Sequence, residues 1–319
     1  MDVLQTLSNI GIVPVIAIDR ADQAVDLAKA LVEGGLPAAE ITFRTAAGQE
    51  AIRIVAKECP EVLVGAGTVL TVDQCDRALE AGAKFIVSPG YFDDVVNHCV
   101  ELGVPVLPGC VNASDMTKAV NAGLKTVKFF PAEQAGGISY LKSVAPVFPL
   151  NFMPTGGVNT ANLLDYLTFD RIASVGGTWM VKKDLINAGE FAKITAICKD
   201  AVKTMLGFEI RHVGINCADA AEAEKTARGI ASLFGFEYKP GNSSDFAGEA
   251  VECMKSPYLG TNGHIAIGTN SVDRAVFHLS RRGIAFDEST RKTDAKTGRT
   301  KAIYLKGEFG GFAFHLVQK

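Results

Sequence analysis

Lys128 stands in the segment KTVKFFPA, flanked by Val127, Phe129 and Phe130. Apolar neighbours strip water from an ammonium group and disfavour its charged form. A neutral amine can attack a ketone, and the iminium that results is an electron sink. It stabilises the carbanion equivalent left when the bond between C3 and C4 of a keto acid breaks, so retro-aldol cleavage needs no metal where such a lysine is present. The competing reading is a strand-end lysine that snorkels to solvent. Lys84 and Lys125 fall under that reading, because both stand at strand starts.

The same chemistry requires a group that moves a proton between substrate hydroxyl, carbinolamine and water. His98 lies in the helical pattern YFDDVVNHCVEL, which turns it away from the strand ends. Glu40, in the segment AAEITF with Thr42 as its alternation partner, is the candidate general base. Its structural alternative is an ion pair with Arg44, and the two roles are compatible. Arg44 carries a fork of donors suited to the carboxylate of a keto acid. Two glycine pairs follow, TGG at 155–157 and GGT at 176–178. Tight turns explain most such pairs, but after the last two strands of a barrel they offer backbone amides to a phosphate.

These residues need elements to hold them. From Ile12 to Met180 short β-branched apolar runs alternate with amphipathic helical stretches about every twenty-odd residues, the pattern of βα units around a parallel sheet. The expected strands are IVPVIAI, AAEITF, VLVGAGTV, KFIVSPG, VPVLPGC, KTVKFFPA, NFMPTGG and IASVGGTWM. Their continuous apolar character says that both faces are covered, and eight units in under 200 residues fit a (β/α)8 TIM barrel over residues 1–205. A helix at VLQTLSNI is expected to plug its lower mouth. After FAKITAICKDAVKTM the pattern changes, and residues 210–319 read as a smaller α+β domain of two βαβββ units, HVGINC onward and GHIAIGT onward. The polar loop STRKTDAKTGRT reads as a solvated hairpin tip.

Composition narrows the function classes. The 319 residues are 48% hydrophobic and 21% charged, with a net charge of −3 and no basic stripe, so nucleic acid is not an expected partner. No apolar run reaches the ~18 residues of a membrane span, and the opening MDVLQTLSNI lacks a cationic start, so a cytoplasmic protein without membrane contact is expected. Seven scattered cysteines with no CxxC pair read as reduced, buried thiols.

The ordered segments EITFRT, GAGTVL, SPG, LPG, KFFPAE, PTGGV and GGTWM resemble the 2-keto-3-deoxy-6-phosphogluconate (KDPG) and 4-hydroxy-2-oxoglutarate (KHG) aldolases over residues 1–204. The resemblance implies a cofactor-free class I lyase, in which Lys128 forms the Schiff base and Glu40 is the acid/base. It assigns Arg44, Thr68 and Pro89 to the pyruvate end, Phe130 and Thr155 to the lining, and Gly156, Gly157, Gly177 and Thr178 to the phosphate. The ligand is then a small keto-acid sugar phosphate, and the assembly a homotrimer. One departure, CVNASD after LPG, bears on aldehyde preference.

The C-terminal part resembles the glyoxalase and bleomycin-resistance (vicinal oxygen chelate) fold through HVGINC, LFGFEY, GHIAIGTNSVD and FAFHLVQ. That resemblance implies a divalent metal on His212, Glu252, His264 and His315, a set that suits zinc, iron, manganese or nickel. His315 departs from the glutamate more usual at the last position. Three functions compete: an aldolase with an accessory domain, a non-catalytic sugar-phosphate sensor signalling through that domain, and an aldolase joined to a second, metal-dependent enzyme. Retention of both Lys128 and Glu40 speaks against the sensor, because binding alone needs neither. Substrates derived from phosphogluconate, from phosphogalactonate, or unphosphorylated hydroxyoxoglutarate differ by one stereocentre or by the phosphate and stay open.

Overall fold

A computed structural model describes residues 2–319, divided into two compact units, one ending at Met205 and the other running Leu206–Lys319. In the first unit the elements, in chain order, are α1 (Val3–Ile10), β1 (Ile12–Ile16), α2 (Ala24–Glu33), β2 (Ala38–Thr42), α3 (Gly48–Glu58), β3 (Leu63–Gly67), α4 (Val72–Glu80), β4 (Ile86–Val87), α5 (Asp93–Glu101), β5 (Val106–Leu107), α6 (Ala113–Asn121), β6 (Thr126–Phe129), α7 (Gly137–Val144), β7 (Asn151–Pro154), α8 (Leu163–Leu167), β8 (Val175–Gly177), α9 (Lys183–Asn187) and α10 (Phe191–Leu206). Side-chain caps fix the starts of α4 and α6: Thr71 accepts from the Gln74 amide and Asn112 from the Asp115 amide.

The strands form a curled parallel sheet with helices between them. Hydrogen-bonded order is β5-β4-β3-β2-β1-β8, with β6 and β7 paired separately. Bridges at Gly109–Lys128 and Thr155–Gly176 join that pair to both edges. Every residue of β1 and β2 is buried, as strands covered on both faces require. All eight expected strands occur, but β4 and β5 shrink to two residues each. The flanking Pro89, Pro105 and Pro108 have no N–H to give a ladder, which ends the pairing early.

The second unit contains β9 (Glu209–Asn216), α11 (Ala220–Phe234), β10 (Tyr238–Pro240), β11 (Ser244–Ala247), β12 (Val251–Met254), β13 (Gly263–Thr269), α12 (Val272–Ser280), β14 (Phe286–Thr293), β15 (Thr300–Phe309) and β16 (Phe312–Gln318). They make one mixed sheet in the order β10-β11-β12-β9-β13-β16-β15-β14. The order is a duplication. In each half the first strand runs parallel to the fourth, β9 to β12 and β13 to β16, and the halves meet through antiparallel β9 and β13. Along β12 the side chains alternate: Cys253 faces Ala223 and Ala227 of α11, and Glu252 points to the opposite face.

Two expectations are corrected here. The segment STRKTDAKTGRT is half strand, because β14 continues to Thr293 and pairs Thr293 with Thr300; the hairpin tip narrows to residues 294–299, closed by Asp294 accepting from the Lys296 and Thr297 amides. β11 was not anticipated, since SDFA carries little apolar signal.

Phe85 fixes the seat of β3. It is fully buried, and its ring lies where a Cβ on Gly65 would come within 2.5 Å. Phe85→Ala is expected to cost about 3–5 kcal/mol in the first unit, read from the midpoint of chemical denaturation.

Candidate functional site

Lys128 lies on β6 and retains only 5% of its exposure, and Glu40 on β2 is fully buried. The two are 88 residues apart in sequence, yet Lys128 Nζ lies 3.0 Å from Glu40 Oε1. A buried charge left single is costly, so the pair holds itself together. The second carboxylate oxygen, Oε2, is buried with no hydrogen-bond partner, and it stands ready to accept a substrate proton. Lys128 Nζ is also 5.4 Å from the centre of the half-buried Phe130 ring.

The neighbouring strand makes room for this pair. Register sets Thr42 opposite Gly67 and Glu40 opposite Gly65. A Cβ on Gly67 would lie 2.4 Å from Glu40 Oε1, so only glycine lets the carboxylate reach the lysine. The next residue, Thr68, has φ 58°, the single left-handed non-glycine among the described residues. Strain of that kind is held in place by surrounding structure and concentrates at functional sites.

The Glu40–Arg44 ion pair, the structural alternative for Glu40, does not form. Glu40 turns inward to Lys128, and Arg44 lies past the end of β2, exposed, with Nε donating to Thr42 Oγ1 at 3.1 Å. Thr42 in turn donates to the Ile16 carbonyl at 2.8 Å. This chain orients the guanidinium and leaves its terminal nitrogens free of partners among the described residues, as a carboxylate clamp requires. Thr42 therefore has a role beyond its alternation with Glu40. The half-buried Pro89 sits at the end of β4, its carbonyl packed so closely on Gly109 that a Cβ there would lie 2.1 Å away. His98 pairs with Asp76 at 2.6 Å between α5 and α4, a hydrogen bond that raises its pKa, and takes no part in this site.

The bridge between Thr155 and Gly176 sets the turns after β7 and β8 side by side. Gly156 and Gly157 have φ of 99° and 82°, which side chains rarely adopt. Thr155 is buried, and its Oγ1 occupies the space a Cβ on Gly176 would need. Gly177 lies under the Trp179 ring, and Thr178 is exposed.

In the second unit the four candidate ligands share one sheet face by register. His212 and His315 both stand opposite Ala266, and Glu252 and His264 both stand opposite Gly214. A Cβ on Gly214 would fall 2.1 Å from the His264 ring, so the glycine admits the imidazole. Glu252 Oε2 lies 3.2 Å from His212 Nε2 and 3.1 Å from His264 Nε2. Donor atoms of the three histidines fall within 4.8 Å of one another. Burial works to raise the Glu252 pKa, but hydrogen bonds from His212, His264 and Ser244 outweigh it and hold the carboxyl well below its usual range. Burial, with His264 and His212 nearby, depresses His315 to about 3. Both His315 ring nitrogens are buried without a partner, and Tyr304 stacks on the ring at 4.6 Å. A neutral imidazole and an ionised carboxylate are the ligand forms a divalent cation takes, so these residues fit a metal.

Gly67→Ala is expected to displace Glu40 and lower kcat about 100-fold with little change in KM, checked by steady-state cleavage kinetics.

The family model for KDPG and KHG aldolase matches residues 3–197. The 2-dehydro-3-deoxy-phosphogluconate aldolase of Treponema pallidum is 42% identical over 202 residues, 63% of this chain and 96% of the relative. The KHG/KDPG aldolase of Escherichia coli K12 is 42% identical over 193 residues, 60% of this chain and 91% of the relative. Among solved structures, the Legionella pneumophila KDPG aldolase with pyruvate captured as a covalent carbinolamine is 35% identical with a TM-score of 0.60, covering 62% of this chain and 97% of that one. The Zymomonas mobilis enzyme with 3-phosphoglycerate is 42% identical with a TM-score of 0.58, covering 62% and 94%. A family match of that extent, over the unit that holds Lys128 and Glu40, makes this chain a member of the KDPG and KHG aldolase family of lyases.

Proposed function

We propose that the first unit is a closed (β/α)8 barrel that cleaves 2-dehydro-3-deoxy-6-phosphogluconate to pyruvate and glyceraldehyde 3-phosphate, and 4-hydroxy-2-oxoglutarate to pyruvate and glyoxylate, through a Schiff base on Lys128. The observation that carries this reading is the buried Lys128–Glu40 pair, 3.0 Å apart and carried within two parallel strands, β6 and β2. The bridges on either side of β6 and β7 support closure.

Glu40 takes a proton from Lys128, the neutral Nζ adds to the C2 ketone, and Glu40 returns that proton to the carbinolamine hydroxyl, which leaves as water to give the iminium. Glu40 takes the proton of the C4 hydroxyl as the C3–C4 bond breaks. The bond's electron pair moves into the iminium, leaving an enamine, and the aldehyde departs. Protonation at C3 and hydrolysis by water then release pyruvate and return the amine. Arg44, with Thr68 and Pro89, binds the carboxylate end; Phe130 and Thr155 line the site; Gly156, Gly157, Gly177 and Thr178 receive the phosphate. The carbinolamine trapped in the Legionella relative supports the covalent step by analogy.

For the second unit we propose a glyoxalase-type fold that holds a divalent cation on His212, Glu252, His264 and His315. The orphaned nitrogens of His315 and the duplicated sheet order support this. When bound, the cation supplies Lewis acidity; the chain's own contribution is the ligand geometry, with Ser244 fixing Glu252 by a 2.6 Å hydrogen bond. The family resemblance implies a homotrimer, and no helix among the described residues is long and apolar enough to cross a membrane.

Borohydride reduction with pyruvate is expected to place a pyruvyl adduct on the peptide containing Lys128, absent in Lys128→Ala; an unmodified wild-type peptide would return the barrel to a binding role. Dialysed protein is expected to retain one equivalent of a divalent transition metal by elemental analysis, lost in His264→Ala with the fold intact by circular dichroism. Metal-free wild type would leave the second unit a docking module.

A further inference from the structure

The turn at Gly156–Gly157 is held from behind. The Gly156 carbonyl accepts from the Glu133 amide at 3.1 Å. The Gly157 carbonyl accepts from two side-chain amides, Asn159 Nδ2 at 3.1 Å and Asn162 Nδ2 at 3.2 Å. Asn162 Oδ1 takes the Asn159 backbone amide at 2.8 Å, so the two asparagines are locked to each other as well. The Gly156 and Gly157 amides, by contrast, have no acceptor among the described residues. Carbonyls are tied back and donors are left unspent, which is the polarity an anion site needs.

Glu133 closes the frame. Its side chain fills the space beside Gly157, where a Cβ would lie 2.5 Å from Glu133 Cγ. Its carboxylate accepts from the hydroxyl of Tyr166, a residue 1% exposed. Burial and the neighbouring carboxylate push the Tyr166 pKa up, so the phenol keeps the proton it donates. A carboxylate next to a phosphate site repels the ligand unless it is turned away and held, and the phenol does that. Glu133 therefore acts as a wall of the turn and not as a contact of the anion.

We propose that Asn162 and the Tyr166–Glu133 pair are positioning residues that set the preference for phosphorylated substrate, by fixing the glycine turn with its amides free for a phosphate monoester. The inference rests on the reading of that turn as the phosphate site. It assigns no contact with the reacting atoms to any of these side chains.

The test compares wild type, Asn162→Leu and Tyr166→Phe on 2-dehydro-3-deoxy-6-phosphogluconate and on 4-hydroxy-2-oxoglutarate, with inorganic phosphate as inhibitor. Leucine at 162 is near-isosteric, adds no charge and cannot donate to the Gly157 carbonyl; phenylalanine at 166 keeps the packing and loses the hydroxyl. In both variants KM for the phosphorylated acid and the inhibition constant of phosphate are expected to rise about tenfold, as loss of one such hydrogen bond implies. kcat at saturation and kcat/KM for 4-hydroxy-2-oxoglutarate are expected to stay at wild-type values. Equal losses on both substrates would mean general loosening and overturn the proposal, as would unchanged KM in both variants. Wild type that phosphate does not inhibit would instead remove the phosphate reading itself and the proposal with it.

Discussion

Two opposite charges withdrawn from water must be held against each other, because either one buried alone costs several kcal/mol. Much of the first unit is arranged around that requirement. Lys128 and Glu40 belong to strands on separate parts of the sheet, and only its curling brings Nζ and Oε1 to 3.0 Å. Gly67 yields the volume the carboxylate occupies, and both side chains are buried. In the proposed mechanism the nucleophile and the base are thus in contact before substrate arrives, so little reorganisation is left for the reaction itself.

The second unit solves a related problem with different means. Three imidazoles and a carboxylate converge on one face of an eight-stranded sheet, and two small residues opposite them, Gly214 and Ala266, keep the centre open. In both units glycine acts by absence: the missing Cβ at 67 admits Glu40, and the missing Cβ at 214 admits His264. A polar group on a β surface needs such a gap, since neighbouring strands stand less than 5 Å apart.

What could be read from the sequence follows from which signals are local. A lysine inside VKFFP and a glutamate inside AAEITF break an apolar pattern, and a break in a pattern is visible without a structure. The eight strands were legible too, as short apolar runs between helical stretches. Which partner Glu40 takes was not, because alternation along β2 gives a face and not a neighbour; Arg44 is four residues away and Lys128 is 88. The frame around Gly157 was equally hidden, since Asn159, Asn162 and Glu133 look like ordinary turn and helix-start residues. β11 and the extension of β14 are polar strands stabilised by cross-strand pairing, a non-local term that propensity does not carry.

In the proposed mechanism the lysine and glutamate alone cleave the aldol bond, so a phosphate several bonds away contributes nothing to the electron flow. Its binding energy is useful only where it holds the C3–C4 bond in line with the iminium. A glycine turn free to flip its peptides would spend that energy on ordering itself. Holding both carbonyls by protein donors settles the turn's geometry during folding, where the cost is shared with packing. The same logic gives the Glu133–Tyr166 contact its sense: a negative group kept beside an anion site must have its charge directed elsewhere, and a buried phenol supplies a neutral donor that does not compete with the ligand for the amides.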